Sequence, residues 1–316
     1  MTLANFIIAG TEKAGTTAVF QYLAQHPEVV ASRRKETDFF RSDGTPEEYA
    51  KHFPPADGRP VVMEASPGYL GEAEHVVPRM RAMVPDVKLL FILREPVERF
   101  LSSYHFHRGR LNLPQDLEFG QYLEACLAYA RAQGAERARV VAERGIGEWF
   151  LKVLEFGGYA PYLRRYYDAF PRERIRVDFY DDLRADPRTF MEGISDFLGI
   201  DRGHWASAEF PPANVTFAGR SRSLHRLAVF LNGRLEPLLR PRPRLKHAVA
   251  SVYKRLNGAG EGYVGMQPDE RERLEAWYAP FNRELEQLLQ RPLPPGWSTT
   301  TPAPMAVPAR GRAAAS

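Results

Sequence analysis

The run Gly10-Thr11-Glu12-Lys13-Ala14-Gly15-Thr16-Thr17 follows an apolar segment and precedes a helical pattern. A strand, a glycine-bounded loop and a helix N-terminus together make an anion cradle, because backbone N–H groups turn inward and the helix dipole favours negative charge. The version that holds nucleoside triphosphates reads G-x-x-x-x-G-K-[ST]. Gly10 and Gly15 keep its spacing and Thr17 takes the hydroxyl position, but Thr16 stands where the lysine belongs. The lysine is Lys13, inside the loop. From there it approaches the anion from the other side of the cradle, which suits a shorter 5′ group with no triphosphate to span.

A second block, Leu89-Leu90-Phe91-Ile92-Leu93-Arg94-Glu95-Pro96, reads as a buried strand ending in Arg94 and a helix opening at Pro96. Arg94 is thereby placed at the carboxyl edge of a sheet, where open α/β folds bind ligands. Ser102 lies two helical turns further on. An arginine fork and a hydroxyl converging there would suit a second phosphate.

Short apolar segments at 5–9, 61–64, 88–93 and 174–179 alternate with helical patterns at 15–25, 73–83, from Pro96 onward and at 186–198. Continuous apolar strands separated by helices predict an α/β, P-loop-type three-layer fold: a central parallel sheet with helices on both faces. Residues 105–160 read as mainly helical with a turn near Leu113-Pro114. Residues 199–265 read as a loop (210–219), a helix (223–231) and a Pro/Arg connector (237–244). A long amphipathic helix is expected at 268–289. Residues 1–291 are read as a single domain, and 292–316, rich in Pro, Thr, Ala and Ser, as a disordered tail.

The chain has 316 residues, 44% of them apolar and 26% charged, which excludes a wholly disordered or fibrous class. It contains no apolar run of 18 residues, so no transmembrane segment is expected. The single cysteine, Cys126, fits a reducing compartment. Arginine outnumbers lysine 36 to 7, yet acids are interleaved except over 220–255. No nucleic-acid partner is expected from that pattern.

The two phosphate blocks together resemble the sulfotransferases that use 3′-phosphoadenosine 5′-phosphosulfate (PAPS), most closely the branch containing the heparan sulfate N- and 3-O-sulfotransferase domains and their bacterial relatives. Lys13, Gly15, Thr16 and Thr17 match the family's 5′-phosphosulfate loop; Arg94 and Ser102 match its 3′-phosphate block. Lys35-Glu36-Thr37-Asp38-Phe39-Phe40 is similar to a K-E-x-x-F-F segment of bacterial members, and Tyr180-Asp181-Asp182-Leu183 to a tyrosine-acid-acid-leucine after a later strand. Trp277, Tyr278 and Asn282 sit as in the family's final helix. The resemblance covers roughly residues 5–290. It departs at Ala65, where a lysine is usual, and in the glycine-rich 254–263 region, where the heparan enzymes are basic.

The resemblance implies in-line transfer of a sulfuryl group from PAPS to a hydroxyl, or less readily an amine, of a glycan or small molecule, releasing PAP and using no metal. It implies Glu64 as catalytic base and Lys13 as the group stabilising the departing phosphate. The nucleotide ligands would be Lys13, Ala14, Gly15, Thr16, Thr17, Arg94, Ser102 and Tyr180. His105 and His107 are candidates for the acceptor cleft, and 105–160 for acceptor specificity, with Tyr104, Phe106, Tyr122 and Trp149 available for stacking. A cytoplasmic location is expected. The rival readings are a P-loop kinase or NTPase, and a non-catalytic binding domain of the same fold.

Overall fold

A computed structural model describes residues 1–211 and 265–299 of the chain. Among the described residues, five strands form one sheet: β1 (Phe6–Gly10), β2 (Val29–Ala31), β3 (Val61–Ala65), β4 (Lys88–Leu93) and β5 (Ile175–Phe179). Their order is β2-β3-β1-β4-β5, and every pairing is parallel. β2 escapes a sequence reading because three residues are too short to show a period.

The sheet is covered on both faces, which is why its strands are apolar throughout. Alternation along β1 sends Ile7 and Ala9 into one core and Phe6 and Ile8 into the other. The first core is closed by the helices α2 (Pro46–Ala50), α3 (Ala73–Met83) and α8 (Tyr159–Ala169). The second is closed by α1 (Thr16–Leu23), α9 (Tyr180–Ala185) and α10 (Pro187–Leu198). A third cluster joins α4 (Pro96–Gly109), α5 (Phe119–Arg131), α7 (Glu148–Leu151) and α11 (Pro268–Leu289), with α6 (Ala135–Arg144) packed on its edge through the half-buried Val140 and Val141. The expected three-layer architecture holds.

The expected tail is only partly right. Trp297 is 6% exposed and packs against Tyr159 and Phe179, while Asn282 Nδ2 donates to the Ser298 carbonyl at 2.8 Å. Residues 292–299 are therefore bound to the core: one large aromatic side chain outweighs a composition that otherwise reads as unstructured. The loop, helix and connector expected between 212 and 264, the basic stretch and the glycine-rich region lie outside the described residues, as does the chain from 300.

The chain leaves β1 toward β2 and β3 on one side, and returns through β4 on the other. The crevice between the carboxyl ends of β1 and β4 is thus a topological switch point, where such sheets bind ligands.

Candidate active site

At that crevice lies a cleft of about 830 Å³, in the range of small-molecule sites. Its floor is the loop after β1. Lys13 has φ +70° and Gly15 +81°, so the chain curls through two left-handed residues before α1 begins. Gly15 is required there: a Cβ would stand 2.6 Å from Leu183 Cδ2. The α1 N-terminus has no side-chain cap and no acid in its first turn, leaving its N–H groups to the cleft. Lys13, Gly15, Thr16 and Thr17 line the cleft. The Ala14 side chain is buried in the core, so only its main chain belongs to the cradle.

Arg94, Ser102 and Tyr180 line the same cleft. Arg94 Nη1 donates to the Lys13 carbonyl at 3.1 Å, and its guanidinium sits 5.1 Å from the Tyr180 ring centre. Ser102 is held by α4, whose N-terminus is capped by the Glu95 carboxylate through the Val97 and Glu98 N–H groups. The two blocks recognised in the sequence are therefore brought to one cavity.

The Lys13 ammonium lies 3.9 Å from the Phe106 ring centre. Burial lowers its pKa to about 8, helped by Arg94 and Arg110 and partly offset by Glu12 and Glu36. Beside it, burial would push the Glu12 carboxyl up, but His107, Arg99 and Lys13 together hold it below its ordinary value. His107 Nε2 stands 3.6 Å from Glu12 Oε1. Of the two candidate histidines, His107 is the one that lines the cleft.

Glu64 is not where the sequence reading put it. It has no exposed surface and does not line the cleft. Its carboxylate accepts from Thr37 Oγ1 at 2.5 Å, Ser66 Oγ at 2.8 Å, Tyr69 OH at 2.8 Å and Tyr49 OH. With three hydroxyl donors on Oε1 and one on Oε2, and no exposed surface, the carboxylate is engaged inside the core and not presented to the cleft. Among the described residues, four carboxylates do line the cleft, Glu12, Glu36, Asp38 and Glu98; Glu12 faces His107, Asp38 faces Arg41 and Glu98 pairs with Arg271, while Glu36 lies near Lys13 where the loop after β2 passes the end of β3. Glu36 is partnered by Lys35 and held in a left-handed conformation, φ +63°. The signal for it was present in the Lys35–Phe40 motif, to which no role had been given.

The outer wall comes from the region expected to set acceptor specificity. Phe106, Arg110, Asn112, Trp149 and Phe150 line the cleft, joined by Arg41, whose guanidinium covers the Trp149 ring at 4.3 Å. Tyr104 and Tyr122 do not join them; both are fully buried and donate to the Leu117 and Phe150 carbonyls. Trp277 and Asn282 belong to α11, and Tyr278 ties that helix to the Leu154 carbonyl at 2.9 Å. Among the described residues, no helix is long and apolar enough to cross a membrane.

Residues 3–210 match the sulfotransferase domain family. The chain is 27% identical over 284 residues to the membrane-associated sulfotransferase kil1 of Dictyostelium discoideum, covering 68% of this chain and 59% of that protein. It is 28% identical over 208 residues to the human bifunctional heparan sulfate N-deacetylase/N-sulfotransferase 3, covering 63% of this chain and 22% of that protein. The chain thus spans less than two thirds of either relative. A crystal structure of a sulfotransferase from Alicyclobacillus acidocaldarius shares the fold, with TM-score 0.63, 24% identity, and coverage of 93% of this chain and 98% of that one.

Proposed function

Because the chain belongs to the sulfotransferase domain family, we propose that it transfers a sulfuryl group from PAPS to a hydroxyl of a carbohydrate or small-molecule acceptor. The observation that carries this reading is the convergence of Lys13, Thr16, Thr17, Arg94 and Ser102 on one cleft that also receives Glu36. The residues fit the nucleotide. The loop and Lys13 offer donors for the 5′-phosphosulfate; Arg94 and Ser102 offer a fork and a hydroxyl for the 3′-phosphate. The kinase reading finds no lysine at position 16.

In the proposed step the acceptor oxygen attacks sulfur, the sulfur–oxygen bond to the 5′-phosphate breaks, and PAP leaves. Glu36 takes the acceptor proton, a contribution typically worth about 10²–10⁴-fold. Lys13 and the loop N–H groups meet the charge that grows on the departing phosphate oxygen. A buried ammonium whose pKa is lowered, with Arg94 and Arg110 adding to the effect, regains its proton affinity as that charge appears. Trp149, Phe150 and Arg41 supply the acceptor wall, and a reducing compartment such as the cytoplasm is part of the same reading, supported by the single buried thiol of Cys126.

The test is calorimetric titration with PAP beside ADP and ATP, followed by PAP release from PAPS by the wild type and Glu36→Gln. Binding of PAP in preference to both other nucleotides, with turnover lost and PAP affinity kept in Glu36→Gln, is the expected result. Preference for ATP would overturn the donor, and full turnover in Glu36→Gln would overturn the base.

A further inference from the structure

Glu64 is a buried carboxylate that the proposed chemistry does not use, so its retention in the core needs a reason. Burying an ion is strongly unfavourable unless hydrogen bonds replace its hydration. Here they do, and three of the four donors pass the connection onward. Thr37 Oγ1 donates to Glu64 and accepts from the Phe39 N–H at 3.3 Å. Ser66 Oγ donates to Glu64 and accepts from the Asp38 N–H at 3.1 Å. Tyr69 OH donates to Glu64 and accepts from the Phe40 N–H at 3.2 Å. Three consecutive amides of the segment that follows Glu36 are therefore read by three hydroxyls, and all three hydroxyls are oriented by one oxygen, Oε1.

The orientation follows from the donor inventory. A hydroxyl has one proton, so a hydroxyl that donates to Glu64 must present lone pairs to the amide. Without the carboxylate, the three hydroxyl protons have no fixed acceptor and their lone pairs no fixed direction. The segment they hold is one that needs holding: Glu36 and Asp38 both have positive φ, +63° and +53°, a left-handed conformation that is sterically unfavourable for residues with a Cβ. The Glu36 N–H donating to the Ala65 carbonyl at 2.8 Å is the backbone contact on its other side.

We propose that Glu64 is a positioning residue: through Thr37, Ser66 and Tyr69 it sets the 36–40 segment and so the placement of Glu36 at the cleft. The inference rests on the reading of Glu36 as base. It makes opposite demands on two variants from those of a catalytic role. In Glu64→Gln the amide oxygen can keep the three Oε1 contacts while its NH₂ donates to Tyr49 OH, so positioning survives. In Glu64→Leu the shape is kept and every acceptor is lost.

The experiment measures three things in Glu64→Gln, Glu64→Leu, Ser66→Ala and Tyr69→Phe. They are PAP affinity by calorimetry, amide exchange of residues 38–40, and PAP release from PAPS with 4-nitrophenyl β-D-glucoside as acceptor. PAP affinity is expected to stay within about twofold in all four, since Lys13 and Arg94 are untouched. Glu64→Leu is expected to speed exchange at 38–40 and to lower kcat about 10- to 100-fold with KM for PAPS unchanged, the range an ångström of misplacement produces. Glu64→Gln is expected to recover most of both. Should Glu64→Leu fail to fold, the single-bridge variants are expected to show the same pattern, each losing protection at Asp38 or Phe40. Unchanged exchange in Glu64→Leu, or in the single-bridge variants where it does not fold, overturns the proposal, and so does an inactive, well-folded Glu64→Gln. An inactive Glu36→Gln beside a fully active Glu64→Leu overturns the positioning alone, whereas an active Glu36→Gln overturns the base reading on which it rests.

Discussion

Arg94, the first residue beyond β4, donates through Nη1 to the carbonyl of Lys13 at 3.1 Å, so the loop after β1 and the residue that ends β4 are hydrogen-bonded directly to each other. That contact has the arginine hold the loop's main chain from one side while its fork remains on the cleft. Tyr159 OH, donating to the Arg94 carbonyl at 2.7 Å, fixes the arginine's own main chain from α8.

Replacing Arg94 therefore removes a ligand and loosens a loop together. Arg94→Ala is expected to weaken PAP about 10- to 100-fold, the loss of one or two charge-assisted hydrogen bonds. Arg94→Lys is expected to recover only part of it, because an ammonium lacks the fork. Calorimetric PAP titration checks both; equal affinity in Arg94→Ala and wild type would remove Arg94 from the nucleotide site.

Lys13 makes a pH prediction. Its folded pKa of about 8 lies below the ordinary value of 10.5. Between these limits the unfolded chain holds a proton that the folded chain has released, so this group makes stability rise with pH across that window. A bound phosphate restores the ammonium, and PAP binding at about pH 9, between the folded value of about 8 and the ordinary 10.5, is expected to take up protons. Titrations in two buffers of different ionisation enthalpy measure the uptake, which should be absent in Lys13→Met.

Glu95 carries the opposite sign. It caps α4 through the Val97 and Glu98 N–H groups, yet burial raises its pKa to about 7 from the ordinary 4.5. In that window the folded state keeps a proton the unfolded state has lost, so its contribution to stability falls as pH rises toward 7. Urea unfolding at either end of the window should show this slope in the wild type and a flatter profile in Glu95→Gln.

Gly15→Ala tests the loop's backbone. The residue would have to keep φ +81° with its methyl 2.6 Å from Leu183 Cδ2 and 3.0 Å from the Tyr180 ring. The conformation alone costs about 1–2 kcal/mol, and the contact adds displacement of the buried Leu183 and of Tyr180, which lines the cleft. Loss of thermal stability together with loss of PAP binding is expected; a variant that binds PAP normally would show that the loop tolerates another path.

Trp297→Ala tests the last described segment. Removing a buried tryptophan typically costs about 3–5 kcal/mol, here by opening a cavity against Tyr159 and Phe179. Chemical denaturation should show that loss, and a chain ending at residue 291 should match or exceed it. No change in either would return 292–299 to the unstructured tail that its composition suggested.

The features legible in the sequence are those written in local backbone geometry. Gly10, Lys13, Gly15 and Thr17 declare the loop by spacing alone; Pro96 marks the start of α4; and helical periodicity puts Ser102 two turns beyond it. The apolar runs declare strands covered on both faces, so the parallel sheet and a ligand site at its carboxyl edge follow, while the switch point between β1 and β4 comes from the strand order. Which carboxylate is presented to the cleft near Lys13 was not legible in this way. Glu12, Glu36 and Glu64 all lie near a strand end, and nothing nearby in the chain separates them. The tertiary structure separates them through distant partners: Tyr49 and Thr37 enclose Glu64 in the core, Glu12 lines the cleft facing His107, and Glu36 lines it near Lys13 with only its neighbour Lys35 as ion-pair partner among the described residues. Trp297 is the same case, an anchor only because α8 and β5 meet where it arrives. Spacing along the chain specifies how backbone turns; whether a charge is buried, paired or presented depends on groups that only folding brings together.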